Sequence, residues 1–159
     1  MTLSIRGTTA ADVSLILKFI MDLAVYEKLE HEAQATPEDI AENLFGANPK
    51  VFCEIAEWDG EPVGFALWYY TFSTFQGLHG IWLEDLFVDP VVRGRGIGKA
   101  LLRHLAQRCL RKKLGRLEWA VLDWNAPSIA FYESQGAIFM DDWRRCRVTE
   151  DALERLGAA

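Results

Sequence analysis

Cysteine is scarce: the three present, Cys53, Cys109 and Cys146, are odd in number, widely spaced and form no Cys-x-x-Cys pair. That argues against a disulfide framework or a thiolate zinc site and points to reduced thiols in a cytoplasmic protein. His31, His79 and His104 show no metal-ligand spacing, so no metal is expected. Basic residues do not outnumber acidic ones: 17 Lys and Arg face 23 Asp and Glu, a net charge of -6. A nucleic-acid binder needs a basic face, so nucleic acid is not an expected partner; the acidic balance fits a small cationic substrate, but by default it is that of an ordinary acidic soluble protein. No apolar run approaches the ~20 residues that span a bilayer. The longest runs from about Val63 to Phe72, and Met1 to Gly7 carries no apolar core of a secretory signal, so no membrane partner is expected. Repeats, low-complexity segments and linkers are also missing. With 50% hydrophobic and 25% charged residues in 159, one domain spanning 1–159 with a real core is expected.

The chain is organised around Leu83-Glu84-Asp85-Leu86-Phe87-Val88-Asp89-Pro90. It reads as a buried strand stopped by Pro90, which has no N–H for a ladder. Val91 to Lys99 follows, with Gly94, Gly96 and Gly98 opening a helix in which Ile97, Leu101, Leu105 and Cys109 recur at helical spacing. Strand, glycine turn and helix N-terminus together make an anion site. It is not a Walker A loop, which needs glycine where Arg93 stands and Ser or Thr where Ala100 stands. Nor is it the dinucleotide fingerprint, whose third glycine is replaced by Lys99. What remains is Arg-x-x-Gly-x-Gly, spelled by Arg93, Gly96 and Gly98. On these residues alone, a phosphate loop and a turn shaped only for the backbone are both open.

The remaining elements can be read in order. Leu3 to Arg6 is a short strand. Thr9 and Asp12 cap a helix with Val13, Ile16, Leu17 and Ile20 on one face, and Thr36-Pro37 starts a second helix that Gly46 ends. Val51 to Trp58 and Val63 to Phe72 form a hairpin about Asp59-Gly60. Ser73 to Gly80 reads as a loop before a strand over Ile81 to Val88. After the glycine-started helix come a strand at Leu117 to Leu122, a helix at Pro127 to Gln135, strands near Ala137–Asp142 and Arg144–Val148, and a helix from Glu150. Strands alternating with helices after a meander predict an α/β fold: a mixed, mostly antiparallel sheet with helices on both faces.

The glycine motif resembles the acetyl-CoA pyrophosphate loop of the GNAT superfamily of N-acetyltransferases, and the order of elements is that of the GNAT fold over nearly the whole chain. Asn125, then Phe131-Tyr132, then Gly136-Ala137 match a second block of that family. Leu23-Ala24-x-Tyr26-Glu27, Leu83-Glu84-Asp85, the Arg-Gly-x-Gly-Ile-Gly run and Trp124-Asn125-x-Pro127-Ser128 resemble the spermidine/spermine and thialysine branch. The resemblance implies acetyl-CoA as co-substrate, bound by Leu86, Phe87, Val88, Arg93, Gly94, Arg95, Gly96, Ile97, Gly98, Lys99, Asn125, Ser128 and Tyr132. It implies contact of Tyr26, Glu27, Glu84, Asp85 and Trp143 with a small amine such as a polyamine, diamine or thialysine, in a homodimer.

The chemistry gives these residues roles. An alkylammonium has a pKa near 10, so a base must take a proton before the amine can attack a thioester. Glu84 is the candidate, because a mid-strand carboxylate is costly without a purpose; the other reading makes it a buried partner for an arginine. Strand alternation sends Asp85 to the opposite face. Tyr132, which the resemblance places near the CoA sulfur, is the candidate acid for the departing thiolate, with Phe131 filling the core beside it. No Cys or Ser lies in a nucleophile setting, so direct attack in a ternary complex is expected. A catalytically silent acyl-CoA-binding module and an enzyme acting on protein or other amino-acid amines are the alternatives.

Overall fold

The computed structural model describes residues 1–158. Five strands, β1 (Leu3–Gly7), β2 (Phe52–Trp58), β3 (Glu61–Ser73), β4 (Leu78–Val88) and β5 (Leu117–Trp119), form one sheet in sequential order. The first four are antiparallel, and β5 runs parallel to β4 along Ile81–Leu83. The β2–β3 turn has positive φ at both Asp59 (53°) and Gly60 (87°), the backbone that matches strand twist and that this dipeptide tolerates.

One face of the sheet packs under α1 (Val13–Glu27) and α2 (Pro37–Phe45). Ile16, Phe19, Ile40 and Leu44 meet Cys53, Ile55, Phe65, Leu67 and Phe87 there, and Phe19 stacks on Phe65 at 5.5 Å. On the other face Glu54, buried, accepts from Arg108 Nη2 at 3.3 Å and lies 3.7 Å from His104 Nε2, both on α3 (Ile97–Lys112). Helices therefore cover both faces, as the strand pattern predicts. Thr36 and Asp39 form a reciprocal cap on α2.

Three expectations change. The loop at Ser73 to Gly80 shrinks to 74–77, because Leu78, His79 and Gly80 pair with Ser73, Phe72 and Thr71. Gly80 lies within β4 and serves a close approach: a Cβ there would lie 2.9 Å from the Arg116 carbonyl oxygen. The strand at Leu117 to Leu122 stops at Trp119. The strands near Ala137–Asp142 and Arg144–Val148 do not form; Ile138, Phe139, Met140, Trp143 and Val148, which suggested them, are exposed. Helices α4 (Ala126–Ser134) and α5 (Glu150–Gly157) do form, within the second of two compact units that divide between Trp124 and Asn125.

Gly64 is the tightest point of the central hairpin, since a Cβ there would sit 2.5 Å from the Phe87 carbonyl oxygen. Gly64→Ala is expected to push β4 away at Phe87 and Val88 and cost about 2 kcal/mol, read by thermal melting. An unchanged melting temperature would contradict that close approach.

Candidate active site

The β4–β5 ladder ends at Leu83, so Asp85 to Val88 pair with β3 on one side and with no strand on the other among the described residues; the Val88 carbonyl accepts from Arg93 Nε. Asp89 accepts from the Val91 N–H at 2.9 Å and folds Pro90–Val92 into one tight turn. Gly94 and Gly96 then adopt left-handed φ of 78° and 79°. A Cβ at either would meet nothing within 4 Å, so the turn is open on its outer side, and side chains there would fill the space a ligand needs. Ile97, buried, anchors the start of α3, whose first-turn N–H groups have no carbonyl four residues back to bond. Outward N–H groups, the positive helix end and exposed Arg95 and Lys99 suit a phosphate-bearing ligand. The Arg95 guanidinium rests 5.4 Å from the Trp58 ring centroid.

A β-bulge reorganises the acidic pair. Leu67 pairs with Asp85 and Trp68 with Leu83, which leaves Glu84 as an extra residue on β4. Glu84 Oε2 accepts from Trp82 Nε1 at 2.7 Å and from the Tyr69 hydroxyl at 3.4 Å. Tyr69 pairs with Trp82 on the face that Leu67, Asp85 and Phe87 also share. Glu84 and Asp85 are thus neighbours on the α1 side, and the alternation that would separate them is cancelled by the bulge.

Their burial is also the reverse of the sequence reading. Glu84 is exposed, and its bonds are to an indole and a phenol rather than to an arginine. Asp85 is the half-buried one, and its carboxyl is pushed up to about 7, first by burial and then by the charges of Glu84 and Glu27. The cost of a mid-strand carboxylate, which made Glu84 the candidate base, falls on Asp85.

Glu27 ends α1, where Lys28 takes a left-handed φ of 62° and its N–H closes the helix on Ala24 and Val25. Burial raises the Glu27 carboxyl. Tyr26 lies against Trp124 with ring centroids 6.3 Å apart, and Lys28 Nζ sits 5.1 Å from the Trp124 ring. The end of α1 therefore brings Tyr26 and Glu27 to the face that carries Asp85.

In the second unit, Asn125 is buried and caps α4, accepting from the Ser128 N–H at 3.4 Å. Tyr132 is the buried ring of α4 and Phe131 only half-buried, opposite to the division of labour expected from sequence. Trp143 is exposed, its N–H closing a turn on the Met140 carbonyl. No group of three His, Cys, Asp or Glu among the described residues can hold a metal ion, and no helix is long and apolar enough to cross a membrane.

Residues 17–137 match the model of the acetyltransferase (GNAT) family. The chain belongs to the GNAT acetyltransferase family. It is 35% identical to a thialysine N-epsilon-acetyltransferase of Sus scrofa, over 96% of this chain and 95% of that one. It is 31% identical to an L-ornithine N5-acetyltransferase of Arabidopsis thaliana, over 96% and 86%. An integron cassette protein of V. cholerae shares the fold at a TM-score of 0.83 and 24% identity, covering 100% of this chain and 99% of that one. Within this GNAT enzyme, two tryptophans to which the sequence analysis gives no role of their own support site residues: Trp82 donates to Glu84, and Trp124 packs on Tyr26. The available signal was Trp82 at i−2 from Glu84, which places the two on one strand face.

Proposed function

We propose that this protein transfers the acetyl group of acetyl-CoA to a primary amine of a small cationic molecule of the thialysine, ornithine or polyamine kind. The observation that carries the reading is the bulge that sets Glu84 and Asp85 side by side, with Glu27 near enough for its charge to act on Asp85, where β4 runs on beyond its pairing with β5. Three carboxylates gathered there attract an ammonium, and one with a pKa near the working pH can accept its proton. Asp85 takes that proton while Glu84, held by Trp82 and Tyr69, retains the ammonium in place. Acetyl-CoA, when bound, supplies the activated acetyl thioester.

The backbone of Leu86 to Val88 and of Gly94 to Lys99 would hold it, with Arg95 and Lys99 adding charge, Asn125 and Ser128 shaping the start of α4, and Tyr132 Oη providing a proton to the departing sulfur. Burial pushes the Cys53 and Cys109 thiols up, which suits direct attack in a ternary complex over an acyl-cysteine. In this reading the whole chain is one acetyltransferase domain, cytoplasmic and homodimeric, and Trp143 is a candidate contact for the amine.

The test is free-thiol release from acetyl-CoA against thialysine, ornithine, spermidine, putrescine and a basic peptide. Release with a small amine supports the reading. Acetyl-CoA binding with silence across the panel would instead indicate a non-catalytic module, and release with the peptide alone a protein-directed enzyme. Glu84→Gln is expected to raise the KM for the amine about tenfold with a smaller change in kcat. A fall in kcat alone would return the role of base to Glu84.

A further inference from the structure

Arg93, the first residue of the glycine motif, does not extend freely toward the glycine turn. Its Nε donates to the Val88 carbonyl at 2.9 Å, and its guanidinium lies 4.5 Å from the Tyr26 ring centroid and 5.7 Å from that of Phe87. Tyr26 in turn packs on Trp124, over which Lys28 sits. The guanidinium therefore connects the segment leading into the phosphate turn with the last turn of α1, which carries Glu27. A planar cation with one directional N–H fits this place; an ammonium on a flexible stem does not.

We propose that Arg93 is a positioning residue that fixes the amine-binding end of α1 against the strand and turn that hold the acyl donor, by stacking on Tyr26 while bonded to Val88. This rests on the reading of the protein as an amine acetyltransferase. Removing the guanidinium takes away one of the two ring contacts described for Tyr26, loosens the end of α1 and lets Glu27 drift from Asp85, so the amine is held less well. The donor site, built mainly from backbone N–H groups, loses much less.

The test combines Arg93→Met, Arg93→Lys, Tyr26→Leu and the Arg93→Met/Tyr26→Leu double variant. Amine KM and kcat are measured by thiol release, and acetyl-CoA affinity by calorimetry. The expected result is an amine KM raised five- to tenfold in both Arg93 variants and in Tyr26→Leu, with acetyl-CoA affinity changed less than threefold. The double variant should be no worse than the worse single one, because both remove the same contact. Recovery in Arg93→Lys, loss of acetyl-CoA affinity with amine KM unchanged, or additive effects would overturn the proposal, since each describes a phosphate-binding charge rather than a strut. If the unaltered protein acetylates no amine, the functional reading fails separately. The same cycle run on melting temperature then decides whether Arg93 and Tyr26 are coupled at all, and independent effects would overturn the strut.

Discussion

Asp85→Asn is expected to abolish most acetyl transfer while raising the melting temperature at alkaline pH. The carboxyl ordinarily titrates near 3.8 and is held at about 7 in the fold. Between those values the unfolded chain ionises at Asp85 while the native protein keeps its proton, so stability falls as pH rises through the window and stays reduced above it. The interval from 3.8 to about 7, at ~1.36 kcal/mol per pH unit, sets an upper bound of about 4 kcal/mol.

Half-burial screens part of this, and about 2 kcal/mol is the expected gain for Asp85→Asn at pH 8, with little at pH 4. An amide keeps the shape and removes the charge that burial, Glu84 and Glu27 all oppose. In the proposed mechanism the same change removes the proton acceptor, so kcat/KM for the amine should drop about 10² or more. Equal melting shifts at both pH values would contradict the electrostatic account, and retained turnover the catalytic one.

Tyr132→Phe is expected to lower kcat by about 10² to 10³ and leave acetyl-CoA affinity within threefold. The thiolate that departs is a poor leaving group unless it receives a proton, and a phenol holds its proton to about pH 10. Tyr132 is buried on a helix capped by Asn125, so phenylalanine keeps the ring's packing and loses only Oη. The deficit should shrink above about pH 9, where a thiolate leaves without help because ordinary thiols titrate near 8.5. Unchanged turnover at pH 7.5 would remove Tyr132 as the acid. A loss shared equally with acetyl-CoA affinity would make it a binding residue.

Much of the fold was legible where a local rule decides it. Asp59-Gly60 demanded a two-residue turn, Thr36-Pro37 with Asp39 demanded a helix start, and the Ile97–Leu101–Leu105 spacing set the buried face of α3. At the candidate site the glycine turn ahead of α3 was legible as a turn, and Gly94 and Gly96 take left-handed φ there. The bulge at Glu84 was not. A period-2 pattern assumes unbroken register, and a single extra residue reverses the relation of everything beyond it.

That slip put Asp85 on the wrong face and gave its burial cost to Glu84. The exchange between Phe131 and Tyr132 has a related cause: α4 carries little amphipathic signal, so adjacent aromatics could not be ranked by period. From 137 to 149 the apolar spacing imitates strands, but a strand needs a ladder partner, and sequence pattern does not supply one.

The most direct test of the mechanism is the titration of the Asp85 side-chain carboxyl in the free protein by carbon NMR, its resonance identified by its absence in Asp85→Asn. The account gives a midpoint of about 7, moving down when a cationic amine binds beside it. A midpoint in the ordinary carboxylate range, near 4, would show that the bulge does not place Asp85 as described and would remove it as the proton acceptor.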